Sequence, residues 1–175
     1  EIRYNSFEDQ LLIREHDMDP DKKKVALRQI SYGLYIVSSE HDKVIGADTV
    51  NWLSQASFDP PLIMVAIKAD SNLHTATKGS GSFAVNILSS SQKDLAQDFF
   101  RPTSAEGSKL NGHSFRKETT GSPILEEVYA YAECKVVGEI ALGDHTIFAG
   151  EVIEAEHIRE DQPLEMTATG WYYGG

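Results

Sequence analysis

Two long segments rich in β-forming residues lie close together near the end of the sequence. They cover residues 128–140 and 145–157, and only Ala141-Leu142-Gly143-Asp144 separates them. A parallel pair would need a crossover of roughly a dozen residues or more between its strands. The two segments are therefore predicted to pair antiparallel, and this short connection disfavours a doubly wound parallel fold.

Shorter β-rich segments precede this pair. Further strands are predicted at residues 32–39 (YGLYIVSS), 44–49, 62–67 (LIMVAI) and 82–89, the run LIMVAI being typical of a strand buried on both faces. Six or seven strands at this spacing, with only short helices between them, predict a mainly β antiparallel barrel with peripheral helices. We expect a single domain over residues 1–175, with 1–18 as an extended arm and 159–175 as a tail.

Three short helices are predicted from their capping signals. The first begins with Asp19 as N-cap and Pro20 at the first helical position, and runs to about Ile30. Its apolar side chains, Val25, Leu27 and Ile30, are expected to face inward. The remaining predictions are a helix capped by Ser71 and ended by Gly79, a helix opened by the capping-box-like spacing of Ser91 and Asp94, and a loop over residues 101–117.

Charge and apolar patterning argue against several classes of function. A net charge of −11 disfavours nucleic acid as a partner, because backbone binding needs clustered Lys and Arg. No apolar run approaches the ~20 residues of a membrane helix, and we expect neither a signal peptide nor a membrane partner. The lone Cys134 excludes an internal disulfide and indicates a reducing compartment, so we expect a cytoplasmic protein in which this thiol is a small buried hydrophobe.

Several familiar site motifs are absent from the sequence. Neither G-x-G-x-x-G nor G-x-x-x-x-G-K-[ST] occurs. The six histidines show no H-x-x-x-H or H-E-x-x-H spacing, so we expect no metal site. No G-x-S-x-G occurs either, which leaves a hydrolase triad without support.

Residues 47–61 (ADTVNWLSQASFDPP) combine short polar side chains with a flat apolar surface, a pattern unusual for a helix or a strand. The polar members are Thr49, Asn51, Ser54, Gln55 and Ser57, and the apolar ones are Trp52, Leu53 and Phe58. Hydrogen-bonding groups beside an apolar plane suit a planar, heteroatom-rich ring. The alternative is a polar hairpin loop whose Ser and Asn side chains satisfy their own backbone.

Two further features suggest ligand contacts. The helix start at Ser71 offers first-turn N–H groups and the Ser71 and Thr75 hydroxyls, with His74 and Lys68 nearby, which suits a phosphate. A plain capped helix is the alternative. His145 lies in the turn between the two long strands, where it either faces a cofactor, nicotinamide or substrate at the barrel rim or is simply solvated.

Four segments follow one another in the order YGLYIVSS, NWLSQASFDPPLIMVAI, SNLHTATKGSGSFAVNIL and LGDHTIFAGEV. This succession resembles the flavin reductase-like family of FMN-binding split barrels, over about residues 25–158. The resemblance implies an antiparallel split β-barrel that forms a homodimer and binds FMN, less often FAD.

The resemblance also implies site residues. In the family, the segment before the buried strand wraps the isoalloxazine, and phosphate contacts follow that strand. The implied flavin-binding residues are Thr49, Asn51, Trp52, Leu53, Ser54, Gln55, Ala56, Ser57, Lys68, Ser71, His74 and Thr75. The turn Gly143-Asp144-His145 corresponds to one that lies close to flavin and nicotinamide in the reductases, which makes His145 the implied catalytic residue.

The implied activity is hydride transfer from NAD(P)H to flavin. NWLSQASF stands where small monooxygenase reductases typically carry a shorter Ser/Thr-rich stretch, which brings the chain closer to the flavoredoxins. The alternative is therefore a flavoredoxin-like carrier that passes electrons between redox partner proteins without efficient NAD(P)H use, and that tolerates a flavin face covered by residues 171–173. A third possibility is a dimeric scaffold that binds no flavin. No residue that selects NADH or NADPH can be placed.

Overall fold

The structure is a computed structural model that describes residues 18–174, so all of the predicted N-terminal arm except Met18 lies outside the described residues. The helices are α1 (Pro20–Leu27), α2 (Asn72–Ser80), α3 (Lys93–Asp98) and α4 (Met166–Thr169). The strands are β1 (Tyr35–His41), β2 (Val44–Val50), β3 (Leu53–Phe58), β4 (Pro61–Lys68), β5 (Ser82–Ile87), β6 (Ala105–Glu106), β7 (Lys109–Leu110), β8 (His113–Lys117), β9 (Pro123–Leu125), β10 (Ala130–Ala141) and β11 (His145–His157). None of these helices has the length and apolar character needed to cross a bilayer.

A small compact unit combines residues 18–30 with residues 172–174. In its described part, the Asp19 carboxylate accepts hydrogen bonds from the N–H groups of Asp21 and Lys22, which confirms the predicted start of α1. The predicted inward face is wrong. Val25 is 64% exposed, Leu27 and Ile30 are exposed too, and α1 has no buried residue.

The second unit, Ser31–Trp171, contains a seven-stranded antiparallel sheet in the order β2-β1-β5-β10-β11-β4-β3. β10 and β11 pair antiparallel along their lengths, as their short connection predicted. Their register shifts between Glu133 and Cys134 and again between Val136 and Gly138. Such bulges bend a strand and increase its twist, which lets these long strands curve around a core.

The sheet curls into an open barrel because of one short connection. β2 and β3 lie at opposite edges of the sheet, yet only Asn51 and Trp52 separate them along the chain. The three Cα–Cα steps from Val50 to Leu53 span at most about 11 Å, so the two edges must lie close together. The edges are not hydrogen-bonded neighbours, and the result is a split antiparallel barrel, as predicted.

The stretch at residues 47–61 is more regular than its sequence indicated. β2 extends through Val50, β3 follows after two residues, and β3 pairs with β4 from Leu53 to Phe58. The interpretation of this stretch as irregular or as a loop is therefore wrong. Its polar side chains are compatible with a strand because β3 is an edge strand, with Ser54, Gln55 and Ala56 exposed.

An apolar core lies within the barrel and includes one residue of α2. Its buried members are Val37, Val50, Val65, Ile67, Leu73, Phe83, Val85, Cys134 and Phe148. Burial and the charge of Glu133 raise the pKa of the Cys134 thiol to about 12, which agrees with the predicted role of a small hydrophobe. α2 packs directly on β2, because a Cβ at Gly46 would lie 2.2 Å from the backbone nitrogen of Leu73.

Capping of the two middle helices agrees only in part with the predictions. α2 begins after its N-cap Ser71, as expected, but it continues past Gly79 to Ser80 and ends where Gly81 adopts a left-handed φ of 66°. The predicted capping box of the next helix is wrong. α3 has Gln92 as N-cap without a side-chain cap hydrogen bond, and the Gln92 side chain instead accepts from the Ser89 N–H at 2.9 Å.

The chain around α3 covers the free edge of β2. Thr49 donates from its hydroxyl to the Ala96 carbonyl at 2.7 Å and from its N–H to the Phe99 carbonyl at 3.2 Å. Further along, the Thr103 hydroxyl bonds both the N–H and the carbonyl of Ala47. These contacts occupy backbone groups of β2 that an edge strand would otherwise expose.

Residues 101–117, predicted as a loop, contain three strands of a second, four-stranded sheet ordered β6-β7-β8-β9. Asn111 and Gly112, with φ of 50° and 95°, form the two-residue turn between β7 and β8. Asn-Gly between two short strands is a strong hairpin signal, so this hairpin could have been predicted from the sequence. The buried Asn86 of β5 accepts from the Leu125 N–H at 2.7 Å and thereby holds β9 against the barrel.

Candidate functional site

The turn Gly143-Asp144-His145 lies beside the end of β4. His145 is opposite Lys68 in the ladder between β11 and β4, and the Ala69 N–H donates to the Asp144 carbonyl at 3.0 Å. Because β4 ends at Lys68 and α2 is capped by Ser71, the chain passes from strand to helix at this point. The turn, the end of β4 and the start of α2 therefore form one corner of the barrel.

His145 is packed against Trp52 at this corner. The two ring centroids are 4.7 Å apart in an edge-to-face arrangement, and the His145 side chain is only 12% exposed. Its Nδ1 lies 2.9 Å from Asp144 Oδ1, and this hydrogen bond lowers the pKa of the Asp144 carboxyl. The Trp52 carbonyl accepts from the Ala66 N–H at 2.9 Å, which fixes Trp52 to β4. The structure thus brings the polar stretch into contact with the turn.

The start of α2 carries a hydrogen-bonded group that includes the half-buried acid Asp48. The Ser71 hydroxyl accepts from the His74 N–H at 3.0 Å and also bonds the Asp48 carboxylate. Burial raises the pKa of Asp48, and the bond to Ser71 opposes that shift. Asp48 was not among the predicted site residues. The available signal was that Asp48 lies two residues before the apolar Val50 on β2. Alternate residues of a strand lie on the same face, so Asp48 is expected on the face that packs against the core.

Two further members of this corner are His74 and Thr146. His74 Nε2 lies 2.9 Å from the Thr146 hydroxyl, and its ring centroid lies 5.4 Å from that of Phe148. Thr146 is buried, so the bond ties α2 to the inner side of β11. Thr146 was not predicted as a site residue, although it directly follows His145.

Lys68 and Thr75 are exposed polar residues of the corner, and so are Asp70 and Asp144. The Lys68 ammonium lies 3.0 Å from Asp70 Oδ1, and the Thr75 hydroxyl donates to the Ser71 carbonyl at 3.3 Å. Together with the first-turn amides of Asn72 and Leu73 they form a donor-rich surface, since these amides lack intrahelical partners, whereas the His74 amide is capped by Ser71.

The side chains of the other predicted site residues either have partners within the fold or are exposed along β3. Asn51 is buried, and its amide lies 3.4 Å from the Met166 sulfur. Thr49 uses its hydroxyl on α3, as described above. Along β3, Leu53 packs on the barrel core, the exposed Ser54 and Gln55 bond neighbouring carbonyls, Ala56 is exposed and Ser57 is half-buried. Within residues 47–61, the Trp52 side chain contacts His145.

Across residues 18–174, no group of three or more His, Cys, Asp or Glu side chains is arranged to hold a metal ion.

Comparison with known proteins identifies relatives of the whole barrel. The profile of the flavin reductase like domain matches residues 27–174. A ferric-chelate reductase (NAD(P)H) of Archaeoglobus fulgidus is 33% identical over 141 residues, which cover 79% of this chain and 83% of that protein. The solved styrene monooxygenase flavin reductase of Pseudomonas putida S12 superposes with a TM-score of 0.70 at 28% identity, covering 82% of this chain and 91% of that one.

Another relative is much longer than this chain. Diflavin flavoprotein A 1 of a Synechocystis species is 33% identical over 136 residues, which cover 77% of this chain. The match spans only 24% of that protein.

Proposed function

The chain belongs to the flavin reductase-like domain family, and on this basis we propose that it is an NAD(P)H:flavin oxidoreductase. The observation that carries the proposal is the contact between Trp52 and His145, which joins the polar stretch to the Gly143-Asp144-His145 turn beside the start of α2. The relatives named as a ferric-chelate reductase (NAD(P)H) and as a flavin reductase support the same reaction class.

The proposed cofactor is FMN, and the donor set at the corner fits its phosphate. The exposed Lys68 ammonium, the Thr75 hydroxyl and the first-turn amides of α2 supply a cation and donors where a dianion would be stabilised. Edge strand β3, with Trp52 before it, presents polar groups beside an aromatic surface for a ring system. Bound flavin would supply the capacity to accept a hydride.

We assign His145 the role of orienting the nicotinamide. With Nδ1 bonded to the Asp144 carboxylate, the neutral ring carries its proton on Nδ1, and Nε2 is then an acceptor. An acceptor at the corner suits the N–H of a carboxamide. Asp144 and Trp52 restrain the imidazole, so the orientation is set before a ligand arrives, and holding two reactants in place in this way lowers the entropic barrier.

A flavoredoxin-like carrier is the second candidate function. The match to one quarter of a diflavin flavoprotein favours it, because it indicates that this kind of domain also occurs as one part of a longer flavoprotein. Such a carrier would pass electrons to a redox partner protein and would use NAD(P)H poorly. For either function we propose a cytoplasmic location.

We also propose that the chain forms a homodimer through the outer face of β10, β11 and β4. Ile140 and Ile147 are direct neighbours across β10 and β11, and Met64 lies opposite Ala149, two residues further along the same face. These three large apolar side chains are 54%, 41% and 44% exposed. A contiguous exposed apolar patch of this kind is typical of a protein–protein interface.

The test of the function is the visible spectrum of purified protein, mixed with FMN and then titrated anaerobically with NADH and NADPH. We expect a flavin spectrum that one nucleotide bleaches within seconds, and the faster nucleotide identifies the donor. Bleaching by dithionite but by neither nucleotide would favour the carrier. Protein that binds no FMN would contradict both candidates.

A further inference from the structure

His113 joins three separate parts of the chain outside the candidate site. It is the first residue of β8, directly after the Asn111-Gly112 turn. Its Nδ1 lies 2.8 Å from Glu127 Oε1, and its Nε2 lies 2.9 Å from Asp98 Oδ2. Asp98 is the last residue of α3, and Glu127 lies between β9 and β10. The ring therefore links the small sheet to α3 and to the segment that enters β10.

The two hydrogen bonds require a charged ring. A carboxylate oxygen only accepts hydrogen bonds, and a neutral imidazole has a single N–H to donate. Both contacts can be made at once only by the imidazolium, which donates from both nitrogens. Burial lowers the pKa of His113, but the hydrogen bonds and negative charges of Glu127 and Asp98 outweigh burial and raise the pKa above its ordinary value.

Two cations lie beside the carboxylate partners of the ring: Arg101 is close to Asp98, and Arg159 donates to the Glu127 carbonyl at 3.0 Å. The His113 side chain is 20% exposed, and its ring lies 5.7 Å from the ring of Phe99. The Arg101 guanidinium is 3.9 Å from the other Asp98 oxygen, and the Asn111 amide donates to the Asp98 carbonyl at 2.9 Å. When the imidazolium loses its proton, one ring nitrogen becomes an acceptor that faces a carboxylate. Asp98 then keeps Arg101 as a partner, and one of the two bonds to the ring must break.

α3 connects this cluster to the barrel edge. Thr49 of β2 bonds the carbonyls of Ala96 and Phe99, in the last turn of α3 and directly after it, and Asp98 lies between them. We propose that His113 is a proton-controlled latch, which holds the small sheet against α3 when the imidazole is protonated and releases one of its two carboxylates when it is not. This proposal does not depend on the oxidoreductase function.

The sign of the pH effect follows from the raised pKa. A group whose pKa is higher in the folded protein contributes stability that is fully present below its unfolded value, about 6.5 for histidine. This contribution to stability is lost as the pH rises through the higher pKa of the folded state. The latch is therefore closed in weakly acidic solution and opens in the alkaline direction.

The test combines an NMR titration of the His113 ring in the unmodified protein with amide hydrogen exchange between pH 6 and 9. We expect the ring to titrate above 6.5. Protection factors in residues 105–117 should fall about tenfold over the same pH range, as the loss of one charge-assisted hydrogen bond implies. A ring that titrates at or below the ordinary histidine value would overturn the proposal whether or not any variant folds.

Two variants complete the test. In His113→Gln, which cannot carry the charge, protection of residues 105–117 should be low and independent of pH after correction for intrinsic exchange. His157→Gln is the matched control, because within residues 18–174 His157 has a single carboxylate partner, Glu160, at 3.9 Å. It should keep the wild-type profile. An unchanged pH profile in His113→Gln would show that another group controls the small sheet.

Discussion

At the scale of single residues, the candidate site is defined by which side chains contact each histidine, not by which residue types are present. His145 is held between the Asp144 carboxylate and the Trp52 ring, and His74 is held by Thr146. A restrained imidazole can present one defined nitrogen, whereas a solvated one cannot. The same reasoning separates His145 from His157, which is half exposed at the far end of β11.

Replacing His145 with Ala should raise the KM for the nicotinamide nucleotide about tenfold and leave FMN binding nearly unchanged. The change removes an acceptor and a ring contact, which together are worth roughly 1–2 kcal/mol. Steady-state kinetics with a parallel FMN titration measures both quantities. His157→Ala should have neither effect, and equal KM values for wild type and His145→Ala would reduce His145 to an ordinary residue of the turn.

Cys134 should be inert in the folded protein. With a pKa of about 12, only about one thiol in ten thousand is ionised at pH 8, and the thiolate is the reactive form. Native protein mixed with a thiol-reactive disulfide reagent at pH 8 should therefore give little colour over many minutes. The same sample in denaturant should give one equivalent at once. Rapid stoichiometric reaction without denaturant contradicts the buried placement.

At the scale of elements, close packing on β2 constrains the position of α2. It provides Ser71 and His74, and it approaches β2 so closely that Gly46 has no room for a side chain. The position of the helix start is thus set by a residue on a different element. A residue without a reactive or hydrogen-bonding side chain, such as Gly46, can therefore determine where the site residues of α2 lie.

Gly46→Ala should destabilise the protein by about 3 kcal/mol or more, because the added Cβ meets the backbone of Leu73, which cannot rotate away. It should also weaken FMN binding, since the helix start has to move. Chemical denaturation and an FMN titration measure the two effects. Gly138→Ala is the control, because its Cβ would meet no atom within 4 Å among the described neighbours. Equal stability of the two variants would refute the packing argument.

At the scale of the whole molecule, the split barrel leaves an apolar outer face. Ile140, Ile147 and Met64 lie on strands whose opposite sides fill the core with residues such as Phe148 and Val65. Alternation along each strand places one set inside and the other outside. An outer set that is also apolar needs a further layer, and a second copy would supply it.

Ile147→Glu should shift the protein from dimer to monomer in light scattering coupled to size-exclusion chromatography. The side chain is 41% exposed, so the charge should cost the monomer little stability while disfavouring the proposed interface. Val25→Glu, at an exposed apolar site on α1, should leave the association state unchanged. A wild-type protein that is monomeric at all concentrations would rule out the proposed dimer.

The sequence by itself determined the antiparallel barrel, the helix caps Asp19 and Ser71, and the burial of Cys134. These depend on short-range physics: a four-residue connection, side chains that bond nearby N–H groups, and alternation along a strand. The sequence also indicated residues 47–61 and the turn at His145 as candidate site segments, although residues 47–61 were expected to be irregular. The hairpin at Asn111-Gly112 could have been predicted from the sequence and was not.

Only the tertiary structure decided which of these residues meet. Trp52 reaches His145 because the sheet curls until β2 and β3 are close, whereas Asn51, one residue earlier, faces the core and Met166. Asp48 bonds Ser71, and His113 bonds two carboxylates, across separations that no local pattern encodes. Such contacts depend on the register and curvature of several strands at once, and these are set by the packing of the whole core.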